Sequence, residues 1–440
     1  MTVQTTKGLI EGVLENGCRV FKGVPYAKPP VGELRFHAPV EMDPWEGVRE
    51  AKEFRAVCPQ LGQEPGTMYS IEFYENPDFM PAHSEDCLYL NVWTPDEVVE
   101  GEKLPVAFWI HGGAFMNGFG SELEFDGAAF AKRGVILVTI NYRLGVWGFL
   151  NHPWLAEEQD GHGGNYGILD QIAALKWVRE NIAAFGGDPD RITVFGQSAG
   201  AMSTQTLLSS PLTKGMIHRA ILQSGGGFPS GLSKDTSVEE AYEVGEKFAE
   251  LSGAQSLAEL REKSAEEIMQ AFGGVMGWGF STGKGLVFLP TLDGYVLTTG
   301  YQETLEKGLE PDIPYMLGST ANDIMIAPEI AGDPEKSMLH QGCVAWSANE
   351  QRLGRKPAYV YYFNRRLPGD DNGAFHSAEL WYMMGTVDRC WRPMEERDHD
   401  LSDRMMAYWT NFMKTGDPNG EGVPEWKPCS AEGKEYIVLE

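Results

Sequence analysis

The chain has 440 residues, of which 42% are hydrophobic and 22% charged, a composition typical of globular proteins. Its 63 acidic and 36 basic residues give a formal net charge of −27. Because so acidic a surface repels nucleic-acid phosphates and anionic lipids, we expect no nucleic-acid partner and no docking on a membrane. No apolar run reaches the ~20 residues that a membrane-spanning helix needs.

The cysteines, the histidines and the N-terminus indicate whether to expect disulfides, a metal site or secretion. Six cysteines are too few for a disulfide scaffold. No CxxC or HExxH spacing indicates a metal site. The first residues lack the basic-then-apolar pattern of a secretory signal. We therefore expect a cytoplasmic protein if the chain is unprocessed, and a secreted one if a leader was removed.

The first half of the chain predicts an α/β arrangement. Residues 8–50 alternate short apolar runs with Gly and Pro, which indicates small antiparallel strands and turns. Apolar strands follow at 88–93, 106–110, 135–140 and 192–195, with a helix at 168–181. Apolar strands that alternate with helices are typical of a mostly parallel sheet covered by helices on both faces.

The second half continues this pattern after a helical stretch. Residues 238–272 are predicted to be helical, and a glycine-rich loop is predicted at 273–285. Strands follow at 315–317 and 358–363, then a helix at 402–414 and a strand near 436–438. Since no repeat or linker divides the chain, we predict one domain over residues 1–440, with a helical insertion at about 230–290.

Two segments match the Gly-x-Ser-x-Gly pattern of a nucleophile elbow, at 196–200 and at 279–283. An elbow needs a buried strand before the serine and a helix after it, with small flanking residues that let the turn close. Ser198 follows the strand at 192–195 and precedes a segment that can form a helix. Ser281 falls in the predicted glycine-rich loop. Context therefore selects Ser198 as the nucleophile.

A glycine turn earlier in the chain completes the pattern. His-Gly-Gly-Ala-Phe at 111–115 follows the strand at 106–110. Such a turn and the residue after the nucleophile supply N–H groups to an oxyanion. We predict an oxyanion hole in which Gly113, Ala114 and Ala199 donate and Gly112 shapes the turn. Taken alone, the glycines also fit an ordinary strand-to-loop turn.

Three longer blocks resemble the type-B carboxylesterase family of α/β-hydrolases. They are Glu-Asp-Cys-Leu-Tyr-Leu-Asn-Val-Trp-Thr-Pro at 85–95, the connecting blocks at 141–145 and 164–171, and Phe-Gly-Gly-Asp-Pro at 185–189 leading into the elbow. The resemblance spans most of 8–227 and 286–440. It implies an α/β-hydrolase fold that cleaves carboxylic esters of small molecules through an acyl-enzyme, without a cofactor or metal.

The resemblance also implies the rest of a catalytic triad. Gly-Ala-Phe-His-Ser-Ala-Glu-Leu at 373–380 is similar to the family's histidine block, which makes His376 the general base. The acid is expected five residues after Gly318, at Asp323. Asp293 competes for this role because it too follows an apolar run, although its neighbour Gly294 suggests a turn.

Other expectations concern the surroundings of the triad. Gln197, Ser224 and Glu379 are expected to be supporting polar residues. Gln197 stands where many relatives have Glu, which argues against a quaternary-ammonium substrate and favours neutral short-chain or aromatic esters. The short interval from Asp323 to His376 predicts a reduced helical lid and an open mouth. Candidate pocket residues, which could equally be core residues, are Phe115, Met202, Trp278, Phe280 and Phe288.

Cys58 and Cys87 match positions that are bridged in secreted relatives, and we expect them to be reduced thiols. We expect a monomer or weak homo-oligomer. Two alternatives stay open for the activity: a non-catalytic adhesion module of the same superfamily, and a peptidase on the same fold.

Overall fold

A computed structural model describes residues 1–99 and 101–440. Its strands are β1 (Thr2–Gln4), β2 (Leu9–Glu11), β3 (Val13–Glu15), β4 (Cys18–Pro25), β5 (Val48–Glu50), β6 (Tyr89–Pro95), β7 (Leu104–Ile110), β8 (Ile136–Ile140), β9 (Gly187–Gln197), β10 (Arg219–Gln223), β11 (Thr236–Ser237), β12 (Thr291–Leu292), β13 (Tyr315–Thr320), β14 (Tyr359–Phe363) and β15 (Ile437–Leu439). Its α-helices are α1 (Ala128–Lys132), α2 (Gly145–Phe149), α3 (Pro153–Glu158), α4 (Tyr166–Asn181), α5 (Ala199–Ser209), α6 (Val238–Ser252), α7 (Leu257–Glu262), α8 (Ala265–Ser281), α9 (Tyr301–Lys307), α10 (Met338–Arg352), α11 (Leu380–Met383) and α12 (Glu396–Thr415).

A ten-stranded sheet organises the chain, in the order β15-β14-β13-β10-β9-β7-β8-β6-β4-β3. The pairings from β8 through β15 are parallel. Strands β6, β4 and β3 add antiparallel pairings at one edge. Every side chain of β7 and β8 is buried, as continuous apolar strands of a covered parallel sheet require. The fold is that of an α/β-hydrolase.

The small N-terminal sheet differs in part from the prediction of antiparallel strands. β1 pairs with β2 antiparallel, but β2 pairs with β5 in parallel. The chain between β2 and β5 includes β3 and β4, which is long enough for the crossover that a parallel pair needs.

Helices cover both faces of the large sheet. On one face α4 and α5 pack on β9, and on the other α12 packs on β7 and β9. Two apolar cores result, one on each side of the strands. The carboxyl ends of β7, β9 and β13 are thereby brought to one edge, since parallel strands end on the same side of a sheet.

The predicted loop at 273–285 is wrong for most of its length, because α8 continues to Ser281. A capping box between Ser264 and Glu267 starts this helix. Buried side chains at Ile268, Phe272, Val275 and Met276 follow with helical spacing. Their packing outweighs the poor helix propensity of the intervening glycines. Helices α6–α8 lie within the predicted insertion; the domain division itself stays a prediction.

Between the predicted acid and base, the chain forms a 3₁₀ turn (Pro328–Ile330), α10 and β14.

The six cysteines are free thiols, and Cys58 Sγ accepts a hydrogen bond from Leu144 N at 3.2 Å. In the described residues, no helix has both the length and the apolar character to span a bilayer.

Candidate active site

Ser198 occupies the sharp turn between β9 and α5. Its φ of +56° and ψ of −124° are rarely adopted by residues other than glycine. Its N–H donates to Gln223 O in β10 at 2.8 Å. Small neighbours are required, because a Cβ on Gly196 would lie 2.4 Å from the carbonyl carbon of Gly200, and one on Gly200 would lie 2.0 Å from Ile110 O. The elbow therefore holds Ser198 half-buried at the carboxyl end of β9.

The competing serine has a different setting. Ser281 is exposed at the end of α8, and its hydroxyl donates to Trp278 O at 3.0 Å. The residues before it are helical, so no strand leads into this motif. The structure thus gives only Ser198, among the two candidates, the strand-turn-helix setting of an elbow.

The glycine turn after β7 packs directly against Ser198. A Cβ on Gly112 would lie 3.2 Å from Ser198 Cβ. Gly113 (φ +97°) and Ala114 (φ +56°) are in left-handed conformations, and within the described residues their N–H groups make no hydrogen bond. Ala199 N–H lies in the first turn of α5, where a helix has no internal acceptor. The predicted oxyanion donors thus lack partners among the described residues, as groups that are to bind an anionic oxygen must.

His111 also contacts this glycine turn. Its ring stacks on Tyr142 with centroids 4.4 Å apart, and its Nδ1 lies 2.9 Å from Gly112 O. Burial lowers the pKa of His111 to about 4. The imidazole is therefore neutral and holds the turn through hydrogen bonding rather than charge.

Asp323 and His376 form a buried pair. His376 Nδ1 lies 2.5 Å from Asp323 Oδ1, and the Ser224 hydroxyl donates to Asp323 Oδ2 at 2.7 Å. Thr320 N also donates to Oδ2, at 3.0 Å. Burial alone would raise the pKa of Asp323, but the charge of His376 and these hydrogen bonds lower it below its ordinary value.

The same contact acts on the histidine in the opposite sense. Burial favours neutral His376, yet the charge of Asp323 and its hydrogen bond raise the pKa of His376 above 6.5. The competing Asp293 makes no hydrogen bond to this pair within the described residues. Its Oδ1 accepts from the N–H groups of Tyr295, Val296 and Leu297. Asp293 therefore closes a turn, as its Asp-Gly neighbourhood indicated.

Nε2 of His376, the nitrogen expected to accept the proton of Ser198, lies next to Gln197 in this structure. With Nδ1–H directed at Asp323, Nε2 is left as the acceptor, and it lies 3.2 Å from Gln197 Nε2. Within the described residues, no hydrogen bond joins Ser198 Oγ to Nε2. The elbow and the Asp–His pair are adjacent, and the serine–histidine contact is one that often tightens only with substrate bound.

Glu379 lies buried near the pair. Its Oε1 accepts from Gln223 Nε2 at 3.4 Å, and its Oε2 has no partner among the described residues. Burial and the nearby charge of Asp323 raise the pKa of Glu379 to about 7. This carboxyl is thus partly protonated at neutral pH, and part of its charge is absent from the site.

The five candidate pocket residues do not share one environment. Phe115 packs on Phe149 and Phe288 on Phe272, with both predicted residues buried in the core. Met202 is buried on α5, where its N–H donates to Ser198 O. Trp278 is half-buried and Phe280 is 60% exposed on α8. Phe280 therefore points to solvent, because α8 continues through this stretch and turns it away from the packed face.

Sequence reasoning missed Tyr69. Its hydroxyl donates to the main-chain oxygen of His376 at 3.2 Å. The two residues are 307 positions apart, and no motif in the segment around Tyr69 indicates that they meet. No cluster of three or more His, Cys, Asp or Glu side chains fit to hold a metal occurs in residues 1–99 and 101–440.

Known proteins resemble this chain throughout its length. The model of the Carboxylesterase family matches residues 1–341 and 335–440. A para-nitrobenzyl esterase of Bacillus subtilis (strain 168) is 36% identical over an alignment that covers 100% of this chain and 94% of that protein. The human cocaine esterase is 32% identical, with 96% and 84% covered. The solved structure of a thermophilic PNB esterase matches with a TM-score of 0.86 and 34% identity, with 100% and 96% covered.

The fold and the comparisons show that the molecule is an α/β-hydrolase. The chain belongs to the type-B carboxylesterase family, and it is a carboxylesterase, an enzyme that hydrolyses ester bonds.

Proposed function

We propose that the enzyme cleaves neutral short-chain or aromatic esters through an acyl-enzyme formed on Ser198. The contact between Asp323 Oδ1 and His376 Nδ1, beside the elbow, is the observation that carries this proposal. Ser198 Oγ attacks the ester carbonyl while His376 Nε2 takes its proton. For this step the Gln197 amide gives way to the serine hydroxyl. Asp323 orients the ring and stabilises the imidazolium.

The negative oxygen of the tetrahedral intermediate lies against the N–H groups of Gly113, Ala114 and Ala199. Collapse of the intermediate expels the alcohol, which takes the proton from His376, and leaves the acyl group on Ser198. A water then attacks the acyl carbonyl, with His376 again as the base. Release of the acid restores the free serine.

The preference for neutral esters rests on Gln197. A buried Gln brings no negative charge to Nε2 of His376, so the positive charge of a quaternary ammonium group gains nothing from it. The relative from Bacillus subtilis is named for action on a para-nitrobenzyl ester, which agrees with a neutral aromatic substrate.

Kinetics of two serine variants test the proposal. Ser198→Ala is expected to lower kcat for a nitrophenyl ester by about 10⁴-fold or more, while Ser281→Ala stays within about tenfold of the wild type. Rapid mixing of wild type should release a burst of one nitrophenol per active site before steady state. Comparable losses in both variants would refute the choice of Ser198.

A further inference from the structure

The segment 69–74, here called the Tyr69 turn, packs against residues 370–381, here called the histidine loop. Residues Ser70–Tyr74 form a single π-helical turn, a rare element that recurs at functional sites. Phe73 stacks on Trp381 with ring centroids 5.5 Å apart. The turn thus contacts the part of the loop that follows His376.

A buried carboxylate anchors this turn. Glu72 Oε1 accepts from Trp381 Nε1 at 2.7 Å, and Glu72 Oε2 pairs with Arg392 at 2.8 Å. Arg392 also bonds Asp370 at 2.7 Å, and its guanidinium lies 5.3 Å from the centre of the Phe375 ring. Because buried ion pairs are costly to break, Glu72 ties both ends of the histidine loop to the Tyr69 turn.

Within this frame Tyr69 contacts the main chain of His376. Its hydroxyl donates to His376 O at 3.2 Å, and its ring meets Phe375 edge-on at 6.5 Å. Ser377, the next residue, has a φ of +80°. A residue other than glycine persists in such a conformation only where the surrounding structure holds it. The main chain is therefore strained at Ser377, and Tyr69 holds the carbonyl oxygen of His376 that directly precedes it.

We propose that Tyr69 is a positioning residue: its hydroxyl fixes the main chain of His376, so that the imidazole keeps its contact with Asp323 and its reach toward Ser198. This role rests on the triad proposed above. Tyr69 takes no proton in the reaction. Its loss lets the histidine loop relax and lowers the fraction of molecules with a correctly placed base.

The test compares Tyr69→Phe with a matched control, Tyr408→Phe. Tyr408 is a buried tyrosine whose hydroxyl also donates to a main-chain oxygen, that of Pro424 at 2.9 Å. For a nitrophenyl ester, Tyr69→Phe should lower kcat about fivefold to tenfold, the effect of roughly one hydrogen bond, with KM within about twofold. Tyr408→Phe should leave kcat unchanged, and each of the two variants should lower Tm by roughly 1 °C, the effect of one hydrogen bond in a chain of 440 residues.

An NMR signal distinguishes a positioning role of Tyr69 from a general loss of protein stability. The proton between His376 Nδ1 and Asp323 should give a low-field NMR signal in wild type, absent in Asp323→Asn. Tyr69→Phe should shift or broaden it, and Tyr408→Phe should not. Unchanged kcat and signal in Tyr69→Phe, or a rise in KM alone, would overturn the role of Tyr69. Full activity of Ser198→Ala would instead overturn the proposed triad, whatever Tyr69→Phe does.

Discussion

Two carboxylates follow apolar runs in this chain, and they differ in what they hold. Asp323 contacts the imidazole of His376, whereas Asp293 accepts three main-chain N–H groups of its own turn and the side-chain amide of Asn165. In the proposed mechanism the first carboxylate sets the tautomer and orientation of the base, whereas the second closes a turn. Exchange of either carboxylate for its amide should therefore separate activity from stability.

Asp323→Asn should lower kcat on the order of 10⁴-fold, as in the serine-protease template, because an amide favours the wrong histidine tautomer. Asp293→Asn should cost about 1 kcal/mol of unfolding free energy through its lost bond to Asn165, with kcat nearly intact. Steady-state kinetics and urea unfolding of both variants check this pair. The reverse pattern would move the acid to Asp293.

The pKa of His376 predicts the pH dependence of activity. In the proposed mechanism only the neutral imidazole can take the proton of Ser198, and Asp323 raises the pKa of His376 above 6.5. Protonated, inactive enzyme therefore persists to higher pH than an isolated imidazole would allow. In a profile of kcat/KM, the acid limb should have its midpoint above pH 6.5. In Asp323→Asn the midpoint of the residual activity should move to lower pH, and an unmoved midpoint would contradict the pairing.

At the scale of elements, α8 shows how packing and propensity compete. Gly277 is exposed, and a Cβ there would meet nothing within 4 Å, whereas a Cβ on Gly279 would lie 2.8 Å from Gly285 O. Gly277→Ala should therefore stabilise the protein by roughly 0.5–1 kcal/mol, the usual gain in a helix interior. Gly279→Ala should destabilise it, since the following loop must shift. Thermal unfolding of the two variants measures both signs; equal shifts would mean that α8 is frayed in solution.

Elements differ in how well the sequence predicts them. The strands at 106–110 and 135–140 are predictable because both faces of a covered parallel sheet are buried. The side chains of such a strand are therefore mostly apolar, and the sequence shows a near-continuous apolar run. The resemblance to the carboxylesterase family indicated Asp323 as the acid, through its offset from Gly318 in β13. The glycines after residue 272 predict a loop, but the capping box at Ser264 and Glu267 and the buried face of α8 outweigh their poor helix propensity. The contact of Tyr69 with His376 depends on a long-range approach that no local pattern encodes.

At the scale of the whole molecule, charge and site act in opposite directions on a cationic substrate. A net charge of −27 draws cations toward the protein at low salt, while Gln197 places a neutral amide beside Nε2 of His376. Added salt screens the first effect, with a Debye length near 10 Å at 0.1 M and 3 Å at 1 M. The chemistry of the pocket should then decide the preference.

We expect kcat/KM for butyrylcholine to fall as salt is added, to a value below that for 3,3-dimethylbutyl butyrate, its neutral isostere. The neutral ester should change little, which provides the control for general salt effects. Faster hydrolysis of butyrylcholine at high salt would show that a quaternary ammonium group is recognised in the pocket, against the role given to Gln197.

Covalent labelling of the nucleophile tests the acyl-enzyme mechanism most directly. Wild-type enzyme is treated with a fluorophosphonate, and the modified peptide is identified by mass spectrometry. We expect one adduct per chain, on Ser198, with none in Ser198→Ala and full labelling in Ser281→Ala. An adduct on Ser281, or undiminished labelling of Ser198→Ala, would contradict the assignment of the elbow serine as the nucleophile.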